Sequence, residues 1–152
     1  MALVQVGEAF VSMVSKAVRH HGLSDAGRQA LAIIEGSDKP LSPTTIAERL
    51  LVTTASMTSL LDTLERRGLL TRLPDPDDRR RLLVSLTDQG RQIVDEFLPE
   101  VVTLQTAVMA GLGEAERARL LRSLGAIGEA IAAVDAGAVV ARASRRVKPG
   151  SS

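Results

Sequence analysis

The chain has 152 residues, 45% of them hydrophobic and 24% charged, with a formal net charge of +1; this fits a globular domain with a real core and excludes a disordered polyelectrolyte. Cysteine, tryptophan and tyrosine are absent and Phe10 and Phe97 are the only aromatics, which excludes disulfides, thiolate metal sites and thiol redox sensing, and leaves too few stacking platforms for single-stranded nucleic acid. No apolar run approaches the ~18 residues that span a bilayer, and the opening Met1-Ala2-Leu3-Val4 lacks the basic region of a secretory leader, so a cytoplasmic location is expected.

In chain order, Leu3, Val6, Phe10, Met13, Val14 and Ala17 recur at helical spacing and predict a first helix from about Leu3 to His20, broken by Gly22. Ser24 caps a second helix through about Glu35, with Leu31 and Ile34 inward. Ser42-Pro43 is a favourable start for a third helix reaching about Leu50. Thr53 or Thr54 caps a fourth, which ends at Arg67 with Gly68 as its stop.

The period then changes. Leu69 to Leu73 and Arg81 to Leu86 read as two strands around the polar turn Pro74-Asp75-Pro76-Asp77-Asp78, a β-hairpin. Leu82, Val84 and Leu86 share one face of the second strand. Thr87 caps a fifth helix through about Met109, with a kink or break expected at Pro99. A last helix is expected from about Glu114 to Val140, carrying Leu120, Leu121, Leu124, Ile127, Ile131 and Val134. The basic tail, 142–152, is expected to be mobile.

Residues 42–67 form a helix, a short turn and a second helix, with Ile46, Ala47, Leu50, Val52, Met57, Leu60 and Leu61 inward. The second of these helices opens with Thr53-Thr54-Ala55-Ser56-Met57-Thr58-Ser59, whose short hydroxyls reach phosphates or base edges and whose free N–H groups favour an anion. Taken alone, such a segment is also compatible with a helical hairpin in a core, the less favoured reading. The neighbouring hairpin tip, Asp77-Asp78-Arg79-Arg80-Arg81, shifts the balance toward duplex DNA. An arginine on a protruding hairpin is suited to the minor groove, where negative potential concentrates. Asp78 is expected to pair with a neighbouring arginine and orient it. The near-zero net charge argues against nucleic acid only as a total; the arginines are clustered.

These residues resemble the MarR family of regulators. The resemblance rests on Ile46-Ala47-Glu48-Arg49-Leu50, on Leu64-Glu65-Arg66-Arg67-Gly68-Leu69-Leu70, and above all on Asp78-Arg79-Arg80-Arg81-Leu82-Leu83-Val84-Ser85-Leu86-Thr87-Asp88-Gln89-Gly90, an acidic-basic tip, a strand, and Leu-Thr-x-x-Gly opening a helix. In layout it covers about residues 3–140. It implies a mainly α fold: a winged helix-turn-helix with a two-stranded wing and N- and C-terminal dimerisation helices. The single domain would hold a DNA-binding lobe at about 24–90 and dimerisation helices at about 3–21 and 91–141. The fourth helix would enter the major groove, Arg80 the minor groove, and Arg72 would help contact the backbone.

The expected DNA-binding set is thus Thr44, Thr53, Thr54, Ala55, Ser56, Met57, Ser59 and Thr63 on the helices, with Arg72, Arg79, Arg80 and Arg81 on the hairpin. The implied function is a sequence-specific, ligand-responsive repressor, acting as a homodimer on an imperfect palindrome with half-sites roughly 34 Å apart. Many members of the family lose DNA affinity on binding small phenolic or lipophilic molecules; Met13, Ala17, His20, His21 and Arg28 are the candidate lining. The alternative function is a winged-helix module turned to protein–protein interaction.

The sequence departs from the family pattern in three places. Leu51 stands at the turn position where glycine is common, where a left-handed conformation costs roughly 1 kcal/mol. Thr54 and Ser59 stand where relatives often carry arginine, and no cysteine is present for a thiol switch. No enzymatic constellation, cofactor or metal site is read: His20 and His21 are the only histidines, and adjacent residues of a helix do not face each other.

Overall fold

Helix α1 (Ala2–Val18) ends in a one-turn 3₁₀ helix at Arg19–His21, closed by Gly22 in the left-handed region at φ 66°. The structure, a computed structural model, describes residues 2–134. The regular helix therefore stops two residues before the expected His20, because the chain tightens before the turn. Helix α2 (Asp25–Glu35) follows, with the Ser24 hydroxyl accepting the Gly27 N–H at 3.1 Å. Helix α3 (Pro43–Leu50) has Ser42 as its cap and Pro43 in its first turn, and α4 (Thr54–Arg66) is capped by Thr53. Each such cap satisfies a backbone donor that the helix leaves free, worth about 1 kcal/mol.

The turn between α3 and α4 is the one the sequence made doubtful. Leu51 sits at φ 55°, ψ 40° and is the only non-glycine residue with positive φ among the described residues. Its N–H donates to Glu48 O at 3.2 Å and the Val52 N–H to Ala47 O at 3.1 Å. That pair of bonds is the Schellman closure, and it requires the left-handed residue. Leucine therefore occupies a conformation suited to glycine, and two hydrogen bonds hold it there.

Strands β1 (Leu70–Pro74) and β2 (Leu82–Leu86) pair antiparallel, with Leu70 opposite Leu86 and Pro74 opposite Leu82. Leu41 adds a single bridge to β2, exchanging both backbone bonds with Val84. Helix α5 (Asp88–Val108) runs through Pro99 without a break. Proline withdraws only the donor to the Asp95 carbonyl, and Asp95 is exposed, so water can serve it, while buried Phe97 and Val101 hold the helix on both sides.

The junction of wing and α5 explains the Leu-Thr-x-x-Gly run. The Thr87 hydroxyl accepts the Gly90 N–H at 3.0 Å and donates to Gly68 O at 2.6 Å. A Cβ on Gly90 would lie 1.9 Å from the Leu69 carbonyl oxygen. Only glycine lets the first turn of α5 lie on this backbone.

One core joins these elements. Val14 and Val18 of α1, Leu31 and Ile34 of α2, Ile46 of α3, Leu61 and Leu64 of α4, and Val94 and Phe97 of α5 are buried with Leu70, Val84 and Leu86 of the wing. Their three- and four-residue spacing gives each helix one inward stripe. Each buried aliphatic side chain contributes about 1.5–3 kcal/mol.

The chain divides into two compact units, the first ending at Gly111 and the second beginning at Leu112. The second contains α6 (Glu114–Ala133), whose start is fixed by the Gly113 N–H donating to the Glu116 carboxylate at 2.8 Å. This helix is shorter than expected: Val134 is its cap, with extended backbone. The expected continuation to Val140 and the tail 142–152 lie outside the described residues. Among the described residues no helix is long and apolar enough to cross a membrane.

Candidate nucleic-acid interface

Helix α4 is divided lengthwise. Met57, Leu61 and Leu64 are buried, while Thr54, Ala55, Ser56, Thr58, Ser59, Asp62 and Thr63 are exposed. The expected contact positions Thr54, Ala55, Ser56 and Ser59 thus share an outward surface with the cap Thr53 at one end. Thr44 is exposed on α3.

Met57 does not join them. It is 0% exposed, locked among core side chains, and cannot reach a groove without unpacking the domain. The expectation that it contacts DNA is corrected: only its inward assignment stands. Met57 lies one and two turns before Leu61 and Leu64, so it shares their inward face and cannot also serve the outward one.

The hydroxyls on this surface are not equivalent. Thr58 and Thr63 donate to the carbonyls four residues back, Thr54 O at 3.1 Å and Ser59 O at 3.0 Å. Their protons are used by the helix, so they present only lone pairs and methyl groups outward. Thr63 is further engaged by Arg66, whose guanidinium lies 3.2 Å from its oxygen. The Thr53 hydroxyl accepts the Ser56 N–H and donates to Ser56 Oγ at 2.9 Å. Ser56 retains its own proton, and the Ser59 hydroxyl has no partner among the described residues. The Thr54 hydroxyl likewise has no partner among the described residues, so Thr54, Ser56 and Ser59 are the α4 hydroxyls free to donate.

The wing is held to α4 by Arg72. Its Nη1 lies 2.6 Å from Asp62 and 3.0 Å from Glu65, and the side chain is 19% exposed. Nη2 reaches the Thr58 carbonyl at 3.5 Å. This corrects the expectation that Arg72 contacts a DNA backbone. Two carboxylates from α4 claim the guanidinium, so it braces the wing strand against the helix. Asp62 and Glu65, three residues apart, carried the signal for this, since they share a face of α4.

The tip is closed by backbone bonds, Asp75 N–H to Arg81 O at 2.9 Å and Arg81 N–H to Asp78 O at 2.8 Å. Among the described residues Asp78 does not pair with an arginine. Its carboxylate accepts the Arg80 backbone N–H at 3.0 Å, as Asp75 accepts that of Asp77 at 2.9 Å. Aspartate so close in sequence reaches its own turn's N–H groups more readily than a long, mobile guanidinium. The consequence is favourable for an anion: Arg79, Arg80 and Arg81 are exposed and, among the described residues, have no ion-pair partner.

The second candidate cluster lies at the end of α1. Ala17 and, from α5, Pro99, Glu100, Thr103 and Leu104 line an open, mostly apolar groove of about 390 Å³. His20 and His21 stand beside it, with His20 Nε2 and His21 Nε2 at 3.4 and 3.5 Å from Glu100 Oε1. Met13 and Arg28 do not line it: Met13 packs on the core, and Arg28 is buried beside Asp25, 3.6 Å from its carboxylate. The two histidines do not turn away from each other as expected. They sit in a 3₁₀ turn, and not an α-helix, and their ring centroids are 4.0 Å apart.

A sequence profile described as MarR family matches residues 21–81. The chain is 33% identical over 129 residues to the HTH-type transcriptional repressor YetL of Bacillus subtilis (strain 168), spanning 78% of this chain and 77% of that protein. The crystal structure of CouR from Rhodococcus jostii RHA1 bound to p-coumaroyl-CoA is similar, with a TM-score of 0.79 at 25% identity, over 84% of this chain and 89% of that one. CouR bound to a 23-mer DNA duplex is similar with a TM-score of 0.73 at 28% identity, over 83% of this chain and 89% of that one. The profile match and the likeness to YetL, with the fold shared with CouR, show the family: the chain belongs to the MarR family of winged helix-turn-helix transcriptional regulators.

Proposed function

We propose that this protein is a homodimeric, ligand-responsive repressor that reads duplex DNA through α4 and the wing. One observation carries the reading: a helix face of short hydroxyls is locked to a hairpin whose three arginines have no ion-pair partner among the described residues. Thr54, Ser56 and Ser59 donate to base edges or phosphates in the major groove, and Arg80 enters the minor groove. The relative CouR has been captured on a DNA duplex, which supports the same use here.

Dimerisation follows from need and from surface. One helix and one wing offer too few contacts for a gene-specific site, and two-fold pairing doubles them over an imperfect palindrome. Helix α1 exposes Leu3, Val4 and Val6, and α6 exposes Leu121, Leu124 and Ile131. Apolar surface of this kind is what a second copy would bury. The groove beside Ala17 is the place for an organic effector, since its walls are aliphatic; CouR has been captured with p-coumaroyl-CoA.

Selection of bound fragments from random duplex DNA tests the reading. An enriched imperfect palindrome, bound with an affinity that falls steeply with salt, is expected. Enrichment of no sequence, or binding indifferent to salt, would overturn it. Calorimetry against phenolic and lipophilic acids tests the effector.

A further inference from the structure

We propose that His20, His21 and Glu100 form a binding site for a divalent transition cation, with zinc the best fit. One ligand atom from each of the three lies within 4.8 Å of the others, although they come from the 3₁₀ turn and from α5. Two imidazoles and a carboxylate are the donor set that zinc and its neighbours prefer over magnesium or calcium.

The spacing to Glu100 is compatible with a shared metal. Tetrahedral zinc with ligands at ~2.0–2.1 Å separates those ligands by roughly 3.4 Å. The two nitrogen–oxygen distances to Glu100 are 3.4 and 3.5 Å. These are edges of such a tetrahedron, and both are long for hydrogen bonds.

A second observation points independently to a ligand. The His21 side chain is only 8% exposed, and its Nε2 is buried with no hydrogen-bond partner among the described residues. A buried ring nitrogen facing a carboxylate it does not bond is an unexplained polar group. A cation on Nε2 satisfies it. On the far side of the ring, Nδ1 faces the Glu96 carboxylate at 3.8 Å. At that distance the carboxylate places negative charge behind the ring without a direct hydrogen bond. Glu96 and Glu100 are one turn apart on α5, so one helix face supplies both the ligand and a supporting negative charge. Three protein ligands leave zinc a further position for water or an exogenous donor.

The experiment titrates the full-length, tag-free, chelator-stripped chain with Co²⁺ and then Zn²⁺, without DNA, so its outcome is independent of the repressor reading. Cobalt is expected to develop visible ligand-field bands saturating at one equivalent per chain, with Zn²⁺ displacing it. Glu100→Gln and His21→Gln are each expected to weaken binding roughly a hundredfold or more, and Glu96→Gln about tenfold. Asp95→Asn, an exposed carboxylate on the same helix, should change nothing. Circular dichroism establishes that each variant is folded, and Zn²⁺ should raise the melting temperature of the parent but not of Glu100→Gln, an isosteric change at a partly exposed position. Absence of cobalt bands and of zinc binding in the parent, or undiminished binding by folded Glu100→Gln, overturns the site.

Discussion

Arg72 on β1 and Asp62 on α4 are joined at 2.6 Å, the shortest of the polar contacts by which Arg72 ties the wing to α4. The arginine is largely covered and the aspartate half exposed, so the pair is worth more than a free surface ion pair but less than a buried one. A double-mutant cycle of Arg72→Ala and Asp62→Ala, followed by urea unfolding, should return a coupling of about 1 kcal/mol. Arg72→Ala should also lower DNA affinity about tenfold, because a loosened wing no longer arrives with α4. A coupling near zero with unchanged DNA binding would show that the pair holds nothing.

At the tip, Arg80→Ala should leave the melting temperature unchanged, since the side chain is exposed and makes no ion pair among the described residues. Its affinity for every duplex should fall, and the slope of log K against log salt should flatten by about 0.9 for each phosphate that the variant no longer neutralises. Filter binding across a salt series reads both. An unchanged slope would remove the arginine from the interface.

Neighbours on α4 should behave in opposite ways. Ser59→Ala removes a free hydroxyl and should alter the preferred sequence with little effect on stability. Met57→Ala empties a fully buried position and should cost about 2–5 kcal/mol while leaving the sequence preference of the folded fraction intact. Competition binding against a library of operator variants, paired with chemical denaturation, separates the two. A changed preference in Met57→Ala would mean that core packing sets the helix's approach.

Two backbone positions make a further contrast. Gly90→Ala drives a methyl into the Leu69 carbonyl and should destabilise the domain by about 3 kcal/mol or more, with poor soluble yield. Leu51→Gly relieves a left-handed leucine worth about 1–2 kcal/mol and adds about 0.4–1 kcal/mol of unfolded-state entropy. Because Leu51 is half exposed, little packing is sacrificed, and a net gain of about 0.5 kcal/mol is expected from the urea midpoint. A drop in stability would mean that the covered half of the leucine outweighs its strain.

Local chemistry was readable in advance. Ser24, Ser42, Thr53 and Thr87 all cap the helices that follow them, because a cap is settled between a hydroxyl and an N–H three residues on. The hairpin and most of the inward stripes were legible for the same reason, their periods of 2 and 3.6 being written in neighbouring residues; Val52, expected inward, is exposed because it lies in the turn after the left-handed Leu51. Even the left-handed turn at Leu51 was visible as a position where the backbone needs what glycine supplies.

What depended on partners distant in sequence was not visible. Arg72 read as a free cation until Asp62 and Glu65 lay beside it, and Asp78 read as an arginine's partner until the tip offered its own N–H groups. Adjacent His20 and His21 read as diverging until the chain tightened into a 3₁₀ turn and α5 brought up Glu96 and Glu100. The amino-acid order by itself determined elements, caps and family. Only the tertiary structure decided which charged side chains remain available to a partner, because charges pair through space, at distances that sequence separation does not encode.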